Sequence, residues 1–368
     1  MVNNMKHISS KPERILLAAL ISLVSLILIT VLVYICYVVF SYSRIDDNIT
    51  LEVTGNGAND SVKTGEVYTI ITQNLGFGAY TPEFTFFMDG GTESRAESAD
   101  SVRKCIADGA DTVESFSPDF ILFQEVDTDS TRSFHIDERA MLESRFSSMN
   151  SVFAVNYHSA YLMFPLNEPH GASNAGILTL GRYKITSAVR RSFPISTGFG
   201  KFLDLDRCYS VSRVPVEGGA ELVIYNVHMS AYGGSDEIRA AQMNMLFDDM
   251  KAEYEAGNYC VCGGDFNHDF TGDSNERLNG DGAVGFEWAQ PFPADMLPDC
   301  ISRCTDYSGG EYNPTCRNCD IPYKEGNFTI IVDGFLVSDN VEAVSVSNIY
   351  TGFAYSDHGP VVLQFRLK

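Results

Sequence analysis

The sequence is short of basic side chains. It has 26 Lys and Arg residues against 48 Asp and Glu, which gives a formal net charge of −22 at pH 7. An acidic surface repels polyanions, and nucleic-acid binding draws most of its affinity from basic contacts with phosphates. Nonspecific nucleic-acid binding is therefore disfavoured unless a local basic groove exists, for which the candidates are Arg182, Lys184, Arg190, Arg191 and Lys201.

Charge is absent from residues 15–40. This run exceeds the roughly 20 apolar residues that a helix needs to cross a bilayer. No small-residue cleavage site follows it, which favours an uncleaved anchor over the alternative of a cleaved signal peptide. Lys6, Lys11 and Arg14 precede the run, so the positive-inside rule predicts a single-pass protein with a cytoplasmic amino terminus and with the rest of the chain extracytoplasmic.

Composition divides the chain into segments. We expect a cytoplasmic tail over residues 1–14, the anchor over 15–40, a polar linker over 41–65 and one large domain over 66–368. A loop and Cys-rich insertion over 272–325 interrupts that domain and is expected to form a substrate-facing lid.

The pairing of the cysteines cannot be deduced from their positions. Eight of the nine follow the anchor, and a tight group is formed by Cys300, Cys304, Cys316 and Cys319. Disulfides are compatible with an exported domain, and four thiolates at short spacings suit structural zinc. Disulfides, free thiols and zinc all stay open at this point.

The stretch Tyr259–Asn267 (YCVCGGDFN) has the pattern of a strand that ends in a carboxylate. Its first residues suit a buried strand, two glycines end it, and Asp265 and Asn267 follow. An Asp that orients or deprotonates water, beside an Asn that donates to developing negative charge, suits phosphoester hydrolysis. The alternative is a simple turn, in which these residue types are also common.

Other strands end in polar side chains in the same way. Three runs predict such strands: Val67–Leu75 with Asn74, Phe120–Phe123 before Glu125, and Glu221–Val227 before His228. Helical spacing of apolar residues predicts helices over 97–116 and 136–146, and a third helix begins at Ser235.

Seven stretches follow one another along the chain in this order: YTIITQNLG, FILFQEVD, NAGILTLGRYKI, VIYNVHMS, YCVCGGDFN, IIVDGFLVS and YSDHGPV. Together they resemble the endonuclease/exonuclease/phosphatase superfamily, over roughly residues 66–368. This group includes DNase I type nucleases, abasic-site endonucleases, neutral sphingomyelinases and inositol-polyphosphate 5-phosphatases. The resemblance implies an α/β fold, a four-layer sandwich of two mixed β-sheets packed face to face with helices outside, here preceded by one transmembrane helix.

The resemblance also implies a metal site and a residue that acts on water. Glu125 binds the metal, and Asn74 and Asp357 complete or support the site. The expected cofactor is Mg²⁺, with Mn²⁺ as the alternative, because oxygen ligands suit both ions. Asp265 orients or deprotonates the attacking water, and Asn267 donates to the transition state.

Two histidines complete the implied catalytic set. His358 lies beside the scissile phosphate with Asp333 as the partner that fixes its tautomer, and His228 matches the second histidine of DNase-like and sphingomyelinase-like members. Three further side chains are candidates for binding substrate: Arg132, His135 and Asn174.

The first functional hypothesis is a membrane-anchored, metal-dependent phosphoesterase. Its substrate is a phosphodiester or phosphomonoester in a lipid, a small molecule or a nucleic acid, and no protein partner is predicted. The alternative is a catalytically silent surface binding module of the same fold. A third hypothesis is a zinc-dependent interaction domain formed by residues 300–319.

Overall fold

The computed structural model describes the chain from Lys11 to Lys368 except at residues 58, 203, 204, 232–234, 284, 287 and 311. The chain divides into two compact units, residues 1–43 and 44–368. Helix α1 (Lys11–Ser41) covers the predicted anchor, and among the described residues it is the one helix long and apolar enough to cross a membrane. Residues 1–10 of the predicted tail, including Lys6, lie outside the described residues.

The second unit contains four α-helices among its described residues: α2 (Ala99–Glu114), α3 (Glu138–Arg145), α4 (Asp236–Glu255) and α5 (Ser274–Asn279). Its strands in chain order are β1 (Ile49–Leu51), β2 (Val53–Gly55), β3 (Val67–Asn74), β4 (Phe120–Asp127), β5 (Asn150–His158), β6 (Asn174–Gly181), β7 (Ser187–Ser192), β8 (Cys208–Pro215), β9 (Glu221–His228), β10 (Tyr259–Asp265), β11 (His268–Asp269), β12 (Gln290–Pro291), β13 (Ile301–Arg303), β14 (Cys316–Arg317), β15 (Thr329–Ile330), β16 (Asp333–Ser338), β17 (Val341–Asn348) and β18 (Val361–Leu367).

Fourteen of these strands form two mixed seven-stranded sheets, and the other four form two small sheets, β11-β12 and β14-β15. Sheet A has the order β1-β7-β8-β9-β10-β16-β13, and sheet B has the order β17-β18-β3-β4-β6-β5-β2. Helix α4 packs on β10, β13 and β16 of sheet A, and α3 packs on β4 of sheet B and on α2. The predicted four-layer α/β sandwich is confirmed.

Apolar side chains from both sheets meet in the interior. Ile70 and Leu122 of sheet B belong to the same buried cluster as Tyr225 and Val261 of sheet A. A second cluster lies between sheet B and α2, where Val102 and other apolar residues at helical spacing face the sheet. Burial of this surface is the main favourable term in the stability of the sandwich.

A polar network crosses the apolar interior between the sheets. Asn226 of β9 accepts a hydrogen bond from Gln124 Nε2 of β4 (2.8 Å), and its own Nδ2 donates to the carbonyls of Phe123 (3.3 Å) and Leu178 (3.1 Å) in sheet B. Gln124 Nε2 also donates to Thr72 Oγ1 (3.1 Å). The network ties the two sheets together close to the end of β4, where Glu125 follows.

The stretch 41–65, expected to be a polar linker, is in part a component of the sandwich. Strand β1 pairs with β7 at the edge of sheet A, and β2 pairs with β5 at the edge of sheet B. Arg44 already forms an ion pair with Asp206. Short edge strands are bonded on one side and partly exposed, so they need no apolar run, and their sequence looks like that of a linker.

The insertion over 272–325 contains more regular structure than the sequence predicted. It holds α5 and the short strands β12, β13 and β14, and β13 pairs with β16 as the last strand of sheet A. Strands of two or three residues are too short to show a period of two, which is why the sequence indicated a loop.

We predict that Asn226→Ala lowers the free energy of unfolding by roughly 1–3 kcal/mol, because the carbonyls of Phe123 and Leu178 would stay buried without this donor. Urea unfolding of the full chain in detergent measures the effect. Ser345→Ala removes an exposed hydrogen bond to Gln364 and serves as the control, with an expected change of less than about 0.5 kcal/mol. Equal effects of the two substitutions would contradict the role given to the network.

Candidate active site

Three neighbouring strands of sheet A carry a functional side chain in one row. Strand β10 runs parallel to β9 and antiparallel to β16, and its register sets Asp265 opposite both His228 and Asp333. Gly264 permits this close packing, since its φ is +151° and a Cβ there would meet the carbonyl oxygen of Val227 at 2.1 Å. Only glycine tolerates such a backbone and such a contact without strain.

Sheet B supplies the other half of the site from the ends of β3 and β4. These strands are parallel, and Asn74 lies opposite Gln124, the residue before Glu125. Glu125 lies in a β-bulge of β4 with a φ of +53°. A bulge re-aims a side chain, and backbone strain in a non-glycine residue is typical of functional sites. The loop with Asp357 and His358 leads into β18, which pairs with β3.

Asn74 links the carboxylates of the two sheets. Its Nδ2 donates to Glu125 Oε1 (3.2 Å) and to Asp265 Oδ2 (3.1 Å), while its Oδ1 accepts the N–H of Gly76 (2.9 Å). Gly76 has a φ of +54°, and a Cβ there would meet an oxygen of Asp357 at 2.8 Å. Asn74 therefore positions the acidic residues, and its own oxygen is already engaged.

Asn267 fixes Asp265 from the other side. The backbone N–H of Asn267 donates to Asp265 Oδ1 (2.8 Å), and its Nδ2 donates to Asp265 Oδ2 (3.1 Å) and to the carbonyl of Met229 (2.9 Å). Asn267 also has a positive φ of +50°. Both oxygens of Asp265 are thus held by amide donors.

Two buried histidines flank Asp265. The Nε2 atoms of His228 and His358 lie 3.6 Å and 4.0 Å from Asp265 Oδ2. His358 Nδ1 is 2.7 Å from Asp333 Oδ2, which fixes the imidazole ring. His228 Nδ1 lies 3.4 Å from the amide nitrogen of Asn156, a donor, so that the neutral ring carries its proton on Nε2.

Burial opposes the charged form of both histidines, but the outcomes differ. For His358, the attraction of Asp333 and of Cys316 and Asp357 outweighs burial, so the pKa is raised well above its ordinary value. For His228, burial and the neighbouring Arg207 together hold the pKa well below its ordinary value. The site therefore combines a cationic imidazole with a neutral one.

The carboxyl groups are also perturbed. Burial raises the pKa of Asp265 to about 7, with a further rise from Asp333 and opposition from His358. Burial likewise raises the pKa of Asp357 to about 7, and Glu125 adds to the rise while His358 opposes it. Crowded, buried carboxylates of this kind mark a place that a positive charge would stabilise.

Comparison with known protein families agrees with the family resemblance seen in the sequence. The family model described as endonuclease/exonuclease/phosphatase family matches residues 71–358, which is most of the chain. The chain belongs to this family. Its membership confirms the prediction of a metal-dependent phosphoric ester hydrolase of the endonuclease/exonuclease/phosphatase type. No curated protein matches the chain in sequence.

Solved structures with the same fold come from several organisms. An endonuclease/exonuclease/phosphatase from Beutenbergia cavernae has 16% identity and a TM-score of 0.54, with 82% of this chain and 72% of that chain covered. ANGEL2, a 2′,3′-cyclic phosphatase in complex with adenosine-2′,3′-vanadate, has 13% identity and a TM-score of 0.53 over 87% and 99%. TDP2 of D. rerio with a single-stranded DNA product has 14% identity and a TM-score of 0.52 over 82% and 99%. At these identities the likeness concerns the fold.

The donor set of this family member fits a hard divalent cation. Glu125 and Asp357 offer carboxylate oxygens at one rim, and the raised pKa of Asp357 reflects a negative charge that burial and Glu125 leave uncompensated. Oxygen ligands with one or two carboxylates are what Mg²⁺ and Mn²⁺ take in proteins. Asn74, expected to complete or support the site, directs its amide nitrogen to Glu125.

The three predicted substrate contacts occupy different surroundings. Arg132 is buried in a bidentate pair with Asp127 (2.8 and 3.1 Å) and stacks over Phe77 at 3.9 Å, so it holds the loop after β4. His135 is exposed and lies 2.5 Å from Asp129. Asn174 is exposed at the start of β6, near the end of β4. Arg132 is therefore already engaged within the fold, with Asp127 at the edge of its guanidinium and Phe77 over one face.

Sequence reasoning missed two residues beside His228. Asn156, in the middle of an ordinary strand pattern, sets the proton position on His228. Arg207, just before β8, is buried, and within the described part of the chain its Nε and Nη1 have no hydrogen-bond partner. A single arginine before a strand gives no signal in the sequence, because only the pairing of β8 with β9 brings it to the site.

We predict that Asp357→Asn changes the pH dependence of stability in the metal-free chain. The pKa of Asp357 is about 7 in the folded chain and 3.8 in the unfolded chain, so the folded state holds the proton more tightly. The stabilisation that this proton gives to the folded chain is complete below pH 3.8 and is lost as the pH rises to about 7. The variant should therefore gain stability over the wild type by roughly 1 kcal/mol per pH unit between about pH 4 and 7.

Urea unfolding with EDTA, followed by Trp288 fluorescence, measures this difference. Asp100→Asn replaces an exposed carboxyl on α2 and should retain the wild-type slope. Parallel slopes for Asp357→Asn and the wild type would contradict the raised pKa.

Proposed function

We propose that the chain is a membrane-anchored, Mg²⁺-dependent phosphoesterase whose catalytic domain lies outside the cytoplasm and acts on lipid or small phosphoesters. The arrangement around Asp265 carries the hydrolytic part of the proposal. A buried carboxylate with a pKa of about 7 lies between the neutral His228 and the cationic His358. A base with a pKa near the working pH is suited to proton transfer from water.

Each residue has a role that follows from its contacts. Asp265 accepts the proton of the attacking water, and the amides of Asn74 and Asn267 prevent its carboxylate from rotating. His358, kept charged by Asp333, stabilises the negative charge that gathers on the phosphoryl oxygens. The Nε2–H of neutral His228 donates a second hydrogen bond to the same group.

Glu125 and Asp357 would hold the Mg²⁺ ion, and Asn74 orients Glu125 for it. When bound, the ion polarises a phosphoryl oxygen and neutralises charge on the leaving oxygen. Glu125 has its positive φ in a β-bulge, which keeps its side chain at the rim of the site. This side chain is 24% exposed, so an ion can reach it from solvent.

The engagement of the basic residues supports a substrate other than a nucleic acid. Arg190 is buried and donates to the carbonyls of Val155 (2.8 Å) and Asp206 (2.8 Å). Arg191 pairs with acidic side chains, and Arg182 donates to a carbonyl oxygen. These arginines were candidates for a basic groove, and their guanidinium groups are already used inside the fold. Without such a groove an acidic domain has little affinity for a polyanion.

An exposed apolar loop supports a lipid surface as the place of action. Residues 159–173 connect β5 to β6 at the end of the sheet where β4 delivers Glu125. In this loop Phe164 is 67% exposed, Leu166 is 80% exposed and Met163 is also exposed. Grouped apolar side chains at a surface are typical of contact with a membrane or a ligand. Only residues 42 and 43 of the chain lie between α1 and Arg44, which already forms an ion pair with Asp206.

Arg207 is suited to bind the phosphate of such a substrate. Its guanidinium lowers the pKa of His228, which requires proximity, and its Nε and Nη1 have no partner within the described residues. A buried donor pair without an acceptor is costly unless a ligand supplies one. Arg207 thus complements the catalytic set without belonging to the metal site.

We expect the full chain in detergent to hydrolyse phospholipid or small phosphoesters with Mg²⁺ and to stop with EDTA. Asp265→Ala and His358→Ala should each lower kcat by about 10² to 10⁴, because each removes a group that acts on the transition state. Asp100→Asn, on the exposed face of α2, should keep kcat within about twofold.

A panel of phosphatidyl vesicles, sphingomyelin vesicles, soluble phosphoesters and supercoiled plasmid identifies the substrate class. Plasmid nicking that disappears in Asp265→Ala, with no lipid or small-molecule turnover, would contradict the substrate class. Failure to turn over any substrate by a folded chain that binds Mg²⁺ would favour the silent binding module instead.

The predicted orientation has its own test. We expect alkaline phosphatase fused after Lys368 to be active in intact bacteria that express the chain, since this reporter works outside the cytoplasm. A fusion directly after Arg14 should be inactive. The reverse result would place the catalytic domain in the cytoplasm.

A further inference from the structure

Two cysteines of the insertion lie beside the Asp357-His358 dipeptide. They form the C-x-x-C pair Cys316 and Cys319, and both are buried. The hydrolytic mechanism uses neither of them. The nine cysteines of the described chain are all unpaired, so both thiols are available as ligands.

Backbone pairing holds the first cysteine against the catalytic loop. The N–H of Arg317 donates to the carbonyl of Asp357 (3.1 Å), and the N–H of Gly359 donates to the carbonyl of Thr315 (2.8 Å). These two bonds enclose an antiparallel bridge in which Cys316 lies opposite His358. Residues directly opposite each other in such a bridge project their side chains to the same side.

The ligand atoms come together at this bridge. One donor atom each from Cys316, Asp357 and His358 lies within 4.8 Å of the other two. Cys319 Sγ is 3.9 Å from Asp357 Oδ2. The sulfurs of Cys316 and Cys319 lie 3.5 Å and 3.8 Å from the same carbonyl oxygen, that of Arg317. Three side chains of three ligand types therefore converge, and Cys319 approaches this set through Asp357.

We propose that Cys316, Cys319, Asp357 and His358 form a binding site for a thiophilic divalent cation such as Zn²⁺. Because Asp357 and His358 are shared with the hydrolytic site, an ion bound there blocks hydrolysis. This second part rests on the proposed function, whereas metal binding itself does not.

The chemistry of the set separates the two kinds of ion. Zn²⁺ takes four ligands from Cys, His and Asp, often with a C-x-x-C pair, and Mg²⁺ takes oxygen ligands and does not select thiolates. The Nδ1 of His358 is bonded to Asp333 (2.7 Å), and a carboxylate behind a ligating histidine is the usual support for a zinc site. The two thiols bind as thiolates and the charged ring of His358 binds as a neutral imidazole, so each of these three ligands releases one proton to the solvent.

This site differs from the four-cysteine zinc site considered from the sequence. Cys304 belongs to the large core cluster and Cys300 packs against it, whereas Cys316 and Cys319 belong to two other clusters. Among the described residues, the groups whose ligand atoms converge include Cys316 but not Cys300, Cys304 or Cys319, and of these three Cys319 is the one whose Sγ lies near Asp357 Oδ2, at 3.9 Å. The half of the motif that lies at the catalytic loop is the half that contacts Asp357 and His358.

Cobalt tests the ligand set directly. Co²⁺ added to the metal-free full chain in detergent should give a thiolate-to-cobalt charge-transfer band in the near ultraviolet, and stoichiometric Zn²⁺ should remove it. Cys316→Ser and Cys319→Ser should each weaken Co²⁺ binding by about tenfold or more. Cys304→Ser, a buried cysteine of the same insertion, is the matched control and should keep the band. Absence of the band in the wild-type chain, or its persistence in both Cys316→Ser and Cys319→Ser, would overturn the proposal.

Zinc inhibition tests the shared ligands. Zn²⁺ should inhibit Mg²⁺-dependent turnover by the wild type and Cys304→Ser at concentrations at least about tenfold below those needed for Cys319→Ser. Turnover by Cys319→Ser with Mg²⁺ alone shows that this variant is folded. Equal inhibition of all three would overturn the blocking role. A cobalt band in a chain that turns over no phosphoester would leave the metal site intact and contradict the proposed function instead.

Discussion

Strand β10 lies between a parallel neighbour, β9, and an antiparallel neighbour, β16, and the hydrogen-bond register among them controls the active site. It sets His228, Asp265 and Asp333 in one row at the rim of sheet A. A shift by one residue would turn Asp265 to the opposite face of the sheet, because side chains alternate along a strand. The close approach at Gly264 leaves no room for another residue type, so the glycine and the register support each other.

The rim concentrates charge that would be costly without partners. Asp265 and Asp357 are buried acids, and their pKa values rise because the surroundings disfavour ionisation. Amide donors from Asn74 and Asn267 and the charged imidazole of His358 offset part of that cost. A bound cation would offset more, which is why ligand binding and stability are coupled here.

The inter-sheet network connects this rim to the core. Asn226 precedes His228 by two residues and bonds to the carbonyl of Phe123, two residues before Glu125. Packing of two apolar sheet faces does not by itself define how far one sheet slides along the other. The buried side-chain amide of Asn226 fixes the alignment of the two sheets, because a shift of one sheet would leave this amide without its hydrogen-bond partners. The catalytic residues of the two sheets thus meet in one alignment.

The sequence by itself determined the strands that end in polar side chains and the fold family, and it predicted the candidate catalytic set, because strand periodicity and short motifs are local properties of the chain. It also predicted the apolar helix, because a long run without charged residues is visible in the sequence itself. Tertiary structure alone decided that Arg132 pairs with Asp127, that Asn156 and Arg207 lie beside His228, and that residues 49–55 become edge strands. It also decided which cysteines meet Asp357 and His358. Each of these depends on contacts between segments far apart in the chain, and strand pairing fixes such contacts without leaving a pattern in either segment.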